Sequence, residues 1–331
     1  MGRDMMRLLF TLILAAVLAG LTGQRTTAQV YPARPITMVV PLGPGGSTDV
    51  IGRIMAEAMR ARLGQPVIVE NTAGAGGTIG VGRVARASPD GYTILIGQWG
   101  TNVASGAIYP LQFDLVKDFE PIALIATQPF LIVARKTMPA SNLTELIEWL
   151  KKNADRATQG NSGVGTPSHV GGILFQQSIG LQIQMVPFRS AGLTMQGLLS
   201  GDIDIALDTP ALSVSQLRAG NIKAYAVTAK RRVEMAPEIP TTDEAGLPGF
   251  NFLFWHALWA PKATPANALG RLGQAAVESL ADPMVRSRLV ELAQDIFPRE
   301  QQTPQALAAF HKAEIEKWWP IIKAAGIKPA G

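Results

Sequence analysis

Apolar residues along this chain follow two rhythms. Short, nearly unbroken apolar runs recur from Ile36 onward, separated by longer segments in which apolar side chains return every three to four positions. The runs predict strands at Ile36–Val40, Val67–Val69, Thr93–Gly97, Ile122–Ala126, Phe130–Ala134, Ile183–Val186, Ile203–Leu207 and Lys223–Thr228. Most lack polar alternation, so both faces of these strands are expected to be covered, as in sheets flanked by helices. A side-chain oxygen followed by proline marks helix starts at Thr166-Pro167, Thr264-Pro265, Asp282-Pro283 and Thr303-Pro304. Strands alternating with helices make the fold class α/β.

No compositional break divides the chain into halves. Two stretches, Ala126–Pro129 and the aromatic run Phe254–Pro261, are suited to carry the chain between domains. Two such crossings predict a discontinuous first lobe, 30–127 plus 257–331, and a second lobe over 128–256. The expected architecture is two doubly wound sheets with a ligand cleft between them.

Glycine-rich turns then indicate where a ligand would sit. The first strand runs into Pro41–Asp49, which holds Pro44, Gly45, Gly46, Ser47 and Thr48 ahead of a helical pattern. Such a turn brings backbone N–H groups and a helix N-terminus to one point, a site that favours an anion, although a tight turn capped by Ser47, Thr48 or Asp49 would look the same. A second turn, Ser162 to His169, contains Gly165, Thr166 and His169. A third, Pro187 to Gly192, contains Phe188, Ser190, Ala191 and Gly192. The first turn lies on one expected lobe and the other two on the second, so helix N-termini would face one another and hold an acidic small molecule without buried arginine. Asp208, just past a strand end, is placed to reach the cleft.

Composition removes competing chemistries. The 331 residues include no Cys and three His, which excludes disulfides, thiolate metal sites and a cysteine nucleophile. No phosphate-loop pattern occurs, and Gly80-x-Gly82-x-x-Ala85 does not follow directly on a strand. Ser162 lacks the glycine two residues later that a nucleophile elbow requires, and no His-Glu-x-x-His occurs. No metal, cofactor or catalytic residue is called for. An enzyme on the same scaffold would have only His169 and Asp208 as bases, and a ligand sensor would need the same closure as a transporter receptor. Arg3 and Arg7 precede the apolar run Leu8–Ala19, and Thr26-Thr27-Ala28 follows it, the layout of a secretory signal peptide over 1–28 cleaved near Ala28. The formal net charge of +5, partly carried by that leader, shows no basic patch interleaved with aromatics and so gives no nucleic-acid footprint.

The chain resembles the Bug-type periplasmic receptors of tripartite tricarboxylate transporters. The likeness rests on Tyr31-Pro32-x-Arg34-Pro35-Ile36, Pro41-x-Gly43-Pro44-Gly45-Gly46-x-x-Asp49, Glu70-Asn71-x-x-Gly74-Ala75-Gly76-Gly77-Thr78-Ile79-Gly80 and Asp90-Gly91-Tyr92-Thr93. It continues through Phe119-Glu120-Pro121-Ile122, Ser168-His169, Leu199-Ser200-Gly201-Asp202-Ile203-Asp204, Ala226-Val227-Thr228, Pro240-Thr241 and Glu244-Ala245-Gly246-Leu247-Pro248-Gly249. The resemblance implies a type II periplasmic-binding fold and a monomer that closes on a small carboxylate. It also implies delivery to one large and one small integral membrane subunit. It implies that carboxylates are held mainly by backbone groups at Pro44–Thr48, Gly163–His169 and Phe188–Gly192. Phe188-Arg189-Ser190 departs from the family's usual Tyr-Lys-Gly or Tyr-Arg-Gly. Gln98-Trp99-Gly100-Thr101-Asn102 stands where small residues are common. Trp99 therefore either stacks on a flat carboxylate, with Gln98 and Thr101 beside it, or packs beneath the loop as core.

Overall fold

The computed structural model describes the chain continuously from Tyr31 to Ile327; the leader expected over 1–28 lies outside the described residues. Four strands come first: β1 (Ile36–Val40), β2 (Val67–Asn71), β3 (Thr93–Gln98) and β4 (Phe119–Pro129). Five follow in the middle of the chain: β5 (Leu131–Arg135), β6 (Thr158–Asn161), β7 (Gln184–Pro187), β8 (Ile205–Asp208) and β9 (Ile222–Val227). The last two are β10 (Leu253–Pro261) and β11 (Asp295–Ile296). They form two sheets. The first has the order β2-β1-β3-β10-β4-β11 and draws on both ends of the described chain, whereas the second, β7-β6-β8-β5-β9, uses only its middle.

Both sheets are mixed. β1 runs parallel to β2 and β3, while β10 lies antiparallel between β3 and β4. The two stretches expected to carry the crossings do adjoin them, but they are strand themselves: Ala126–Pro129 is the end of β4 and Phe254–Pro261 the body of the central strand β10. The physical reason is that every β10 residue from Phe254 onward is buried, which a connector over the surface would not allow. The chain changes sheets at Phe130, between β4 and β5, and returns at the start of β10, where Leu253 pairs with Pro129.

Helices pack on both faces of each sheet. They are α1 (Ser47–Leu63), α2 (Thr78–Ala85), α3 (Ser105–Ile108), α4 (Leu143–Lys152), α5 (Pro167–Ser178), α6 (Ala191–Ser200), α7 (Pro210–Arg218), α8 (Ala266–Ala281), α9 (Pro283–Glu291) and α10 (Pro304–Ala324). α1 buries Ile51, Ile54, Met55 and Met59 at helical spacing, carries Asp49 in its first turn and Arg60 and Arg62 in its last, and stops at Gly64 (φ 69°). Asp282 and Thr303 accept the cap bonds of α9 and α10. Thr264 does not cap: its hydroxyl donates to the Pro261 carbonyl, and α8 starts one residue later than its Thr-Pro signal suggests. Among the described residues no helix is long and apolar enough to cross a membrane.

Cores lie on each face. Ile51, Met55, Ile94, Leu258 and Leu272 fill the layer of the first sheet against α1 and α8, and a larger core under α10 continues across the strand crossing into the second lobe.

Candidate functional site

β1 and β3 run parallel and so end on the same side of their sheet, and the segment that follows β3 meets second-lobe loops at Pro167 and Gly165. Pro41–Gly46 carries the chain from β1 to α1, with Gly45 in the left-handed region at φ 80°. No side chain caps Gly46, so the first-turn amides of α1 are open to an acceptor. Nothing lies within 4 Å of where a Gly45 side chain would begin. The Gly45 N–H is not itself free, because it donates to Asp49 Oδ2 at 2.9 Å. Burial pushes the Asp49 carboxyl up, but bonds from Arg53, the Gly45 amide and Asn71 outweigh it and hold the group below the usual carboxylate range. Asp49 thus fixes the loop while Gly46 leaves the helix end open.

Two hydroxyls tie this loop to the central strands. Ser47 Oγ donates to Gln128 Oε1 on β4 at 3.0 Å, and Thr48 Oγ1 lies 3.3 Å from His256 Nε2 on β10. His256 is fully buried, and burial pushes it down to about 3, so it is neutral at pH 7. Pro44, Gly45 and Gly46 are exposed and Thr48 is buried.

From the second lobe, Gly163 (φ 119°) and Gly165 (φ 80°) shape the turn that leads into α5. Thr166 flanks that helix without capping it, since its hydroxyl donates to the Gly163 carbonyl at 2.6 Å. The Gly165 amide donates to His169 Nδ1 at 3.2 Å, which places the ring proton on Nε2 and leaves Nε2–H as a donor. Burial lowers the His169 pKa, so the ring stays neutral. The third turn differs. Ser190 Oγ caps α6 through the Leu193 amide at 3.3 Å, and the Phe188 ring folds back against Gly197 of its own helix. Phe188 therefore packs on the second lobe rather than reaching across, while Ala191 and Gly192 stand at the α6 N-terminus.

The lobes touch through Gly100, Tyr109 and Gly165. A side chain on Gly100 would begin 2.8 Å from Gln98 Nε2 and 3.2 Å from Pro167 Cδ, so the Gln98 amide sits at the seam. Gln98 Oε1 accepts from the Gly100 amide, and Thr101 Oγ1 bonds Gln98 and Asn102. Thr101 is fully buried and closes the strand-to-helix transition.

Of the two readings of Trp99, the structure matches the one that packs it beneath the loop as core. Its ring has no exposed surface and stands edge-on to Phe252 at 5.3 Å and to Trp318 at 5.4 Å, so no face remains for a ligand. A large aromatic at a strand end gains more from an enclosed aromatic cluster than from the open seam. Asp208 lies at the end of β8 opposite Leu131, level with the crossing. Burial pushes its carboxyl up to about 6, partly offset by bonds from the Ser213 hydroxyl and the Thr209 amide.

Two residues at the seam escape a reading of the sequence. Tyr109 touches both lobes, its ring and hydroxyl lying against the Gly76 and Gly165 positions. Asn161 is fully buried beside the Gly163 and Phe188 turns and has an unpartnered Nδ2. Tyr109 belongs to no glycine-rich motif, whereas Asn161 ends the short polar strand Thr158–Asn161 just ahead of the Ser162–His169 turn, and that place beside Gly163 is the signal that could have found it. Among the described residues no Lys or Arg is buried. No buried cation therefore serves the seam, and the donors described there are backbone amides and neutral side chains.

Comparisons with known proteins agree with this geometry. The sequence profile described as "Tripartite tricarboxylate transporter family receptor" matches residues 51–327. The periplasmic binding protein BugD is 39% identical, with a TM-score of 0.82 over 90% of this chain and 100% of its own. MatC from Rhodopseudomonas palustris with bound malate is 36% identical, with a TM-score of 0.81 over 88% and 100%. The R. palustris protein Rpa4515 with adipate is 29% identical, with a TM-score of 0.83 over 91% and 100%. Two mixed sheets, a loop-lined seam between them and a profile match over most of the described residues lead to one conclusion: this chain belongs to the tripartite tricarboxylate transporter receptor family, whose members are periplasmic solute-binding proteins and not enzymes.

Proposed function

We propose that this receptor captures a small aliphatic dicarboxylate between its lobes and delivers it to the large and small membrane subunits of a tripartite transporter, acting as an exported monomer whose leader is removed near Ala28. The observation that carries the reading is the pair of uncapped helix N-termini, α1 from one lobe and α5 from the other, at a seam where no cation is buried. Each open helix end offers N–H donors and a partial positive charge, and neither requires a charged side chain to be stripped of water. The ligand class is narrowed by Trp99, which has no free face for an aromatic acid, and by the malate and adipate held by two relatives. Pro44–Thr48, Gln98, Gly165, Thr166, His169 and Ala191–Gly192 are the proposed contacts, with Tyr109 and Asn161 added.

A thermal-shift screen over mono- and dicarboxylates tests the ligand class. Four- to six-carbon dicarboxylates are expected to raise the melting temperature most, because a ligand at about 100 times its Kd adds about 2.7 kcal/mol. Gly45→Val places a β-branched side chain at a left-handed position in front of the open helix end. It is expected to lower carboxylate affinity at least about tenfold while leaving the circular dichroism spectrum unchanged. Equal affinity by calorimetry would remove the first loop from the site. Uptake of labelled dicarboxylate into vesicles holding the two membrane subunits, dependent on added receptor, tests delivery.

A further inference from the structure

A second cavity between the lobes lies on the other side of the crossing strands. In the first sheet, β10 and β4 carry the crossings; β1 and β3, which bear the carboxylate loops, lie to one side, and β11 lies to the other. The cavity opens on the β11 side with a volume of about 900 Å³. One wall is the second-lobe segment Ala229–Met235; the opposite wall is made by the end of α9, the β11 strand and one face of α10. This volume falls within the range of small-molecule sites.

Its chemistry has a definite polarity. The floor is aromatic and aliphatic, formed by Trp255, Trp318, Phe297, Phe310 and Leu253. Glu314 is already engaged, its Oε2 accepting the indole N–H of Trp255 at 2.9 Å and that of Trp318 at 3.1 Å. Asp295 pairs with Arg231 across the lobes, and Arg232 pairs with Glu244. What remains is three exposed cations, Lys230, Arg286 and Lys317, none with a carboxylate within 4.0 Å among the described residues, against two carboxylates without a cation partner, Glu234 and the indole-bound Glu314, a surplus of one positive charge. Lys317 Nζ is held 4.5 Å above the Trp318 ring, so one of these charges is fixed over the apolar floor. Gln294 is 3% exposed and its Oε1 has no partner, and Asn251 Oδ1 is likewise unpartnered; both side chains line the cavity. Both free atoms are carbonyl acceptors, so the space they face calls for water or a donor group and not for the acid group itself, which belongs at the cationic rim.

We propose that this cavity is a second binding site, selective for an organic anion with an apolar body, an aromatic or alkyl carboxylate or sulfonate. The body lies on the half-buried Leu253 and Phe310, with the buried indoles of Trp255 and Trp318 beneath them, and the acid group faces Lys317 and Arg286. The proposal stands independently of the carboxylate site at the opposite seam. Because its walls come from both lobes, the width of this cavity follows the angle between them, and an occupant is coupled to lobe closure by linkage.

Anilinonaphthalene sulfonate, which fluoresces on entering apolar surroundings, is the probe, and neutral phenylnaphthylamine is its control. The native protein is expected to bind one sulfonate saturably. The double variant Arg286→Glu/Lys317→Glu, changed only at exposed positions, should weaken the sulfonate at least about tenfold and leave the neutral probe within about twofold. Val290→Trp, which fills the cavity mouth, should abolish binding of both probes, and Gly45→Val should leave both unchanged. Absence of saturable sulfonate binding to the native protein, equal sulfonate affinity in the charge-reversed variant, or loss of sulfonate binding in Gly45→Val would each overturn the proposal.

Discussion

The two spaces between the lobes are built from opposite materials. On the β1 and β3 side, the lining is backbone: open helix ends at α1 and α5, turns at Gly45, Gly163 and Gly165, and neutral donors such as His169. On the β11 side it is side chain, with an indole floor and exposed lysine and arginine at the rim. Trp99, Phe252 and Trp318 stand edge to edge between them as a common wall. The difference shows two ways to attract an anion without burying a cation. Fixed amide dipoles work at short range, whereas solvated cations act at longer range and are screened by salt. The first space is therefore expected to be insensitive to ionic strength and intolerant of backbone change, and the second the reverse.

The comparison can be broken at the shared wall. Trp99→Ala empties a fully buried indole site and is expected to cost about 3–5 kcal/mol of unfolding free energy in urea titration. Trp99→Phe, which keeps the wall, should leave dicarboxylate affinity within about twofold; a large loss would restore the ring to the ligand site. A smaller effect, confined to the first space, is expected at Gly80. A side chain there would start 2.6 Å from the Thr72 carbonyl oxygen and 2.7 Å from Pro41 Cα, both backbone, so Gly80→Ala should cost about 1–3 kcal/mol. It should also weaken the dicarboxylate by displacing the Pro41 turn, with the sulfonate probe unaffected.

Asp208 offers a titration at the crossing between the two spaces. Its carboxyl rises from 3.8 to about 6 on folding, so between these values the folded state holds a proton that the unfolded state has released. This group's contribution to stability therefore falls as pH rises from about 4 to about 6 and is level above that. Asp208→Asn is expected to remove that decline, seen as a flatter difference in urea midpoint between pH 4 and pH 7. Asp49, held low by its partners, works in the opposite sense and loses its contribution as pH falls, so variant and native protein are compared at each pH. The smallest expected effect is at Arg231→Ala. It breaks an ion pair between side chains that are 74% and 55% exposed, and should change stability by less than about 1 kcal/mol. A larger change would mean that the pair holds the lobes at a particular angle.

Much of this was legible in one dimension. Ile36–Val40 was located to the residue, and the Thr166-Pro167, Asp282-Pro283 and Thr303-Pro304 signals mark real helix starts, because strand burial and capping are set by neighbours a few positions away. The open ends of α1 and α5 also follow from local glycine-rich sequence. The aromatic run of β10 was read as a connector because an unbroken apolar stretch near a domain boundary has no local feature that separates a central strand from a crossing. Trp99 was left open between ligand and core for a related reason. Whether an aromatic side chain faces a ligand or a core depends on partners far along the chain, here Phe252 and Trp318.

By itself, then, the sequence determined the α/β class, the loops that end in open helix N-termini, the exclusion of cysteine chemistry and the family resemblance, all carried by local spacing and residue type. Tertiary structure alone decided that Tyr109 spans the seam, that His256 lies neutral beneath Thr48, and that a cation-rimmed cavity lies behind the crossing strands. These depend on segments distant in sequence, 208 residues apart for Thr48 and His256, meeting in the folded chain, and burial, hydrogen-bond partners and charge surplus exist only once those segments have met.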